Sequence, residues 1–214
     1  MNRIEQGSFE FPIRPTIMAY ATVVGKKEGE GPLGKKFDKV YTDNMLGEDS
    51  WEKAESRLQK ETTELCISKS GKKPEEYDAI FSGDLLNQCI ASTFGLRELR
   101  IPFVGMYGAC STMASTIITA ATFLQAGCVS QCIATTSSHF SSSERQFRNP
   151  LQYGGQRTPT AQWTVTGSGS VALGTGEGSL HIERATVGVI EDLGIKDANN
   201  MGAAMAPVDV KLTP

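Results

Sequence analysis

Charge is absent from the most apolar part of this chain. Asp, Glu, Lys and Arg make up 21% of its 214 residues, yet none occurs from Ile101 to Ser143. A basic excess is also lacking: 21 Lys and Arg against 24 Asp and Glu leave a net charge of −3 and a pI near 5.5. That balance excludes a protein held to nucleic acid by electrostatics. Metal-ligand spacing is missing too. The five cysteines, Cys66, Cys89, Cys110, Cys128 and Cys132, contain no CxxC pair, and the two histidines, His139 and His181, lie apart from them, so no zinc site is expected. An odd number of cysteines without a framework fits reduced thiols in an intracellular compartment. No apolar run suits a signal peptide, since Arg3, Glu5 and Glu10 interrupt the amino terminus. The uncharged window is too rich in Ser, Thr and Gly to span a bilayer, so a soluble protein is expected.

What is present is an alternation of strand and helix patterns. Thr16 to Val24 reads as a first strand closed by Gly25, followed by a charged, glycine-rich loop from Lys26 to Lys39. Gly47-Glu48-Asp49-Ser50 opens an amphipathic, solvent-facing helix that runs to Ser70 and is capped by Gly71. Asp78 to Ser82 is a short strand leading through Gly83 into a helix that ends near Leu99. Ile101 to Met106 repeats the strand, Ser111 to Gln125 the helix, and Gln131 to Thr136 is another strand. Such alternation predicts βαβ units and a largely parallel sheet. Farther on, Ala161 to Leu173 reads as a long strand, with Ser179 to Ile190 as its hairpin partner across Gly174–Gly178. The Thr166–Ser170 glycines lie inside that strand and not before a helix, which argues against a phosphate loop.

The uncharged helix is the organising element. Small or apolar on every side, it is expected to be buried on every side. Cys110 stands at its start, in a tight turn after Gly108 and Ala109, where free helical N–H groups and the helix dipole favour a thiolate. Two readings of that cysteine stand side by side: a small core thiol, or a nucleophile or ligand contact at a strand-to-helix elbow. Its small neighbours leave room for an approaching group and favour the second.

A polar segment, Ser137 to Thr160, separates the inner strand from the long one and carries His139, Glu144, Arg145, Arg148, Asn149, Gln156 and Arg157. If Glu144 to Arg148 is helical, Arg145 and Arg148 share a face at i,i+3, and two guanidinium forks suit a carboxylate ligand. A solvated loop with an ion pair to Glu144 is the plainer alternative for the same residues.

Several motifs together match one family. GDLLNQ (Gly83–Gln88), YGACST (Tyr107–Thr112), TSSHFSSSERQFRNP (Thr136–Pro150) and WTVTGSGSVALG (Trp163–Gly174) resemble the stage V sporulation protein AD family, thiolase-like proteins of endospore-forming bacteria. GPLGKKFD and the closing DLGI and NMGAAMAP segments are similar to it as well. The resemblance implies an α/β, thiolase-like fold: one βαβαβαββ half over residues 1–190, with a mixed, mostly parallel sheet and a buried central helix after Cys110. Residues 191–214 would be a tail leading toward a second half. It places Cys110 at the thiolase nucleophile position, on the floor of a ligand cleft, and makes Asp84, His139 and Arg145 candidate wall residues; with Arg148 from the i,i+3 pair, these five are the candidate ligand-binding residues. The implied ligand is dipicolinic acid, taken up into the developing spore. The implied partners are other proteins of the stage V sporulation A operon at the forespore or spore inner membrane, where this chain would be soluble or peripheral.

In thiolases the second half supplies the catalytic His and a second catalytic residue, so the resemblance implies that this chain does not catalyse condensation by itself. No cofactor is expected for a binding protein; CoA or acyl-CoA enters only under the alternative, an acyltransferase or β-ketoacyl-synthase-like enzyme with Cys110 as acyl acceptor. A charge-free helix covered by one sheet would leave a face bare. A second copy is therefore expected to cover it, and the resemblance implies a homodimer paired through the strand after the cysteine helix, about Gln131 to Thr136.

Overall fold

A computed structural model describes residues 1–147, 163–190 and 194, with the backbone alone for residues 145–147. In chain order the elements are β1 (Asn2–Glu5), β2 (Ser8–Glu10), β3 (Thr16–Val24), α1 (Lys26–Gly29), β4 (Lys39–Val40), α2 (Trp51–Ser70) and β5 (Ala79–Gly83). They continue with α3 (Ile90–Leu96), β6 (Phe103–Gly105), α4 (Thr112–Gln125), β7 (Gln131–Ser138), α5 (Phe140–Phe147), β8 (Gly167–Gly174) and β9 (Arg184–Thr186). The stretch read as a loop after β3 thus holds α1 and a 3-10 turn at Gly34–Lys36, and ends in an edge strand.

Local chemistry sets the long elements. β3 is TIMAYATVV, rich in β-branched residues that suit a pleated surface. Ser50 stands in extended conformation before α2 and accepts a hydrogen bond from the Lys53 N–H at 3.3 Å, and Gly71 closes the helix at φ 71°.

Six strands form the main sheet in the order β4-β3-β8-β7-β5-β6. β3–β4, β5–β6 and β5–β7 are parallel; β8 lies antiparallel between β3 and β7. The sheet is therefore mixed and mostly parallel. Alternation along the strands divides the core. Ile80, Ile133 and Ala172 face α2 and α3 with Cys66, Ile67 and Leu96, whereas Phe81, Ala134 and Leu173 face α4 with Ala120 and Leu124. The result is helix, sheet and helix in three layers.

Four expectations need correction. Ser179 to Ile190 is not a hairpin partner of β8, because both edges of β8 are already taken by β3 and β7. Instead β9 pairs with β2 in a separate three-stranded sheet, β1-β2-β9. The long strand begins at Gly167, not near Ala161: Trp163 to Thr166 are outside it. β7 cannot be a pairing strand either, since β5 and β8 flank it along its length, and among the described residues the open edges of the sheet are β4 and β6. Finally, α4 is not covered all round by the described residues. Thr112, Thr116, Ala120, Ala121 and Leu124 are buried on the sheet side, but Ala114 and Phe123 are exposed.

Three elements meet at Gly83. A Cβ there would collide with the Met106 carbonyl oxygen and lie 2.7 Å from Thr112 Cγ2, so only glycine lets the end of β5 touch the end of β6 and the start of α4. We expect Gly83→Ala to lower stability by about 3 kcal/mol, read as a shift in the urea midpoint. An unchanged midpoint would show that this junction yields easily.

Candidate functional site

β3, β5, β6 and β7 run in the same direction, so their carboxyl ends share one edge of the sheet. Open α/β sheets place their ligands beyond that edge. Gly83-Asp84, Met106-Tyr107 and Ser138-His139 all leave the sheet there, as does the turn that carries Cys110. The loops after β5, β6 and β7 therefore bring Asp84, Cys110, His139 and the helix containing Arg145 to one edge. Arg148, Gln156 and Arg157 lie outside the described residues.

The Cys110 turn is tightly built. Ser111 donates through Oγ to the Gly108 carbonyl at 2.7 Å, and Thr112 donates to the Ala109 carbonyl at 2.7 Å while accepting from the Gly108 N–H at 3.1 Å. Ala109 is held at φ 47°, a left-handed conformation uncommon outside glycine. Cys110 itself is exposed, which removes the buried-thiol reading. The other cysteines divide cleanly: Cys128 is also exposed, while Cys66, Cys89 and Cys132 are buried. Burial pushes the Cys66 thiol up to about 11 and the Cys132 thiol up to about 12.

Asp84 is a framing residue in this geometry. It is buried, and its carboxylate accepts from the Leu86 N–H at 2.9 Å, the Ser92 N–H at 2.8 Å and the Ser92 hydroxyl at 2.6 Å. Burial raises its pKa, opposed by those hydrogen bonds. The loop it anchors contains Gln88 and Cys89 at φ 62° and 53°, and the Cys89 thiol reaches the Met106 carbonyl at 3.4 Å. A buried carboxylate thus fixes a strained loop against the strand that leads into the cysteine turn.

His139 is also built in. Its side chain is wholly buried, with Nε2 2.9 Å from the Asn44 carbonyl and Nδ1 3.2 Å from the Ser141 N–H. Its ring packs between Trp51, at 5.2 Å, and Phe140, at 5.0 Å. From Phe140 the aromatic contact continues to half-exposed Trp163, whose ring lies under the Lys27 ammonium at 3.7 Å.

Sequence reading missed the residue that ties these parts together. Glu55, in the middle of α2, is completely buried, and its two oxygens accept from Ser142 at 2.5 Å and Ser137 at 3.1 Å. Burial drives its carboxyl up to about 8, with Asp84 and Glu52 adding to the rise and the two serine hydroxyls opposing it. Gln59, one turn on, donates to Ser82 at 2.8 Å. The only signal was polar residues recurring at helical spacing on a face that also carries Ala54 and Leu58. Among the described residues no group of three His, Cys, Asp or Glu side chains is placed to hold a metal ion.

Residues 5–213 match the stage V sporulation protein AD family. The chain is 43% identical over 199 residues to stage V sporulation protein AD of Bacillus subtilis (strain 168), a match that covers 93% of this chain and 58% of that protein. The chain belongs to the stage V sporulation protein AD family. It spans little more than half the length of the relative it matches. Among solved structures it is similar to 3-oxoacyl-[acyl-carrier-protein] synthase III from Aquifex aeolicus VF5, with a TM-score of 0.52, 13% identity, and coverage of 77% of this chain and 55% of that one. At that identity the likeness establishes the fold, a thiolase-like half.

Exposure predicts a sharp division of thiol reactivity. Under native conditions a maleimide should label Cys110 and Cys128, whereas Cys66 and Cys132 react at least about 100-fold more slowly than a free thiol. Peptide mass spectrometry reads the sites directly. Rapid labelling of Cys132 in the folded protein would contradict the packing of β7 against α4.

Proposed function

We propose that this chain binds dipicolinic acid at the carboxyl edge of its sheet and supports uptake of that compound into the developing spore. The observation that carries the reading is the exposed Cys110 turn, set among the strand ends from which α5, with Arg145, also departs. Membership of a sporulation family supplies the biological setting. Small residues around Cys110 leave space for a flat ligand, and guanidinium groups such as those of Arg145 and Arg148 suit its carboxylates. In this reading Asp84 and His139 shape the cleft from behind, through the backbone groups they hold.

Partnership follows the same reading. The chain acts beside other proteins of the stage V sporulation A operon at the forespore or spore inner membrane, peripherally: among the described residues no helix is long and apolar enough to cross a membrane. It forms a homodimer through β6, an open edge strand whose Phe103 and Val104 are exposed.

A second reading is favoured by the exposure of Cys110 in a fold that it shares with an acyl-carrier-protein synthase. Here the thiolate attacks an acyl-CoA thioester, forming an acyl-cysteine and releasing CoA thiol. Calorimetric titration with dipicolinic acid tests the first reading. Saturable binding that weakens at least about tenfold in Arg145→Ala, with folding retained, is the expected result. A folded protein that takes up no dipicolinic acid but forms a stable thioester on Cys110 with acyl-CoA would replace it with the second.

A further inference from the structure

We infer that the loop between β3 and β4, together with Trp163 beside it, docks this chain on the surface of an anionic phospholipid membrane. The inference rests on the peripheral membrane placement proposed above and is independent of dipicolinic acid.

Four lysines and two apolar side chains carry it. Lys26 and Lys27 open α1, Lys35 and Lys36 lie in the 3-10 turn, and all four are exposed. Between the pairs, Pro32 and Leu33 form the tip of the loop, with Leu33 55% exposed. Backbone contact keeps the two turns together. A Cβ on Gly34 would collide with the Gly29 carbonyl oxygen, and one on Gly29 with Val40, so α1, the 3-10 turn and β4 form one lobe at the edge of the sheet. The chain ahead of β8 runs beside this lobe. Gly25 donates its N–H to the Thr166 carbonyl at 2.8 Å, and the Thr166 N–H donates to Glu28 Oε1 at 3.0 Å. Half-exposed Trp163 is thereby brought under the Lys27 ammonium at 3.7 Å.

These lysines differ from their neighbours in pairing. Lys39, at the end of the same loop, is bound to Glu61 at 2.6 Å, and Asp38 is held by Lys69 at 2.9 Å. Lys26, Lys35 and Lys36 make no ion pair among the described residues. The acids that oppose them in the loop are Glu28, tied to Thr166, and exposed Glu30, so positive charge is in excess. Residues 145–162, which lead up to Trp163, contain Arg145, Arg148 and Arg157 and no Asp or Glu, so their sequence adds only positive charge.

Anionic headgroups attract lysines that come within a Debye length, and Leu and Trp suit the boundary between headgroups and acyl chains. A protein interface needs a continuous, well-packed apolar centre. Here Leu33 and Trp163 stand singly among lysines, which favours a bilayer over a protein surface.

Flotation with phospholipid vesicles tests the inference. The chain should float with vesicles containing about one-third phosphatidylglycerol and not with phosphatidylcholine alone, and added salt should release it. Lys35→Glu combined with Lys36→Glu should weaken binding at least about tenfold. Leu33→Ala should weaken it about threefold. These side chains are exposed, so circular dichroism should show the parent fold. Lys72 and Lys73 precede β5 and so lie at the opposite edge of the sheet. The same charge change there, Lys72→Glu with Lys73→Glu, should leave binding within about twofold. Trp163 emission should move to the blue on anionic vesicles, and Trp163→Phe should remove that shift. Binding that survives in the Lys35/Lys36 variant, or that falls equally in the Lys72/Lys73 variant, overturns this face and leaves the peripheral placement intact. A chain that floats with neither kind of vesicle overturns the inference, assigns the lobe to an acidic protein and leaves the peripheral placement to protein partners alone.

Discussion

A contact between two backbones, with no room for a side chain, underlies the whole carboxyl edge. Gly83 at the end of β5 lies directly against the Met106 carbonyl and against Thr112. Because of that approach, β6 can end beside β5, the cysteine turn can start within the same few ångströms, and α4 can set off across the sheet. Met106 reinforces the junction, donating its N–H to the Ser82 carbonyl at 2.8 Å and accepting the Cys89 thiol. Asp84 then fastens the neighbouring loop. The exposed position of Cys110 is a product of this packing and owes nothing to the cysteine itself.

A second organising feature is the polar interior on the α2 side. Glu55, Gln59 and Thr63 face Ser82, Thr135 and Ser137 in a layer where an apolar core would be expected. Such a layer stabilises less by transfer from water than aliphatic packing does. It gives directional contacts in return, and each of these side chains has a defined partner or a defined vacancy.

How much could be read beforehand depended on whether the deciding interaction was local. β3, α2 and α4 were legible almost to the residue, because β-branched runs, a serine cap and glycine stops act within a few positions. The sporulation family was legible from motifs spread along the chain. Strand pairing was not. Two alternating stretches flanking a glycine-rich turn look like a hairpin, and only the arrival of β3 and β7 on either side of β8 denies that pairing. The exposed flank of α4 was hidden for a related reason: the absence of charge announces burial without saying which molecule provides it. The role of Glu55 was invisible because an acidic residue in an amphipathic helix reads as solvent-facing until its partners in β7 and α5 are known.

The place of β8 also bears on how the chain comes into being. β3 leaves the ribosome long before β8, and Thr16 finds its partner only in Gly174; Gln131 of β7 faces the same residue. Until β8 emerges, β3 and β7 each carry an unpaired edge of apolar strand, the kind of surface that templates mispairing between nascent chains. Pairing across so long a stretch closes a large loop and is slow. The strand that completes the sheet is therefore also the one that ends its period of vulnerability during synthesis.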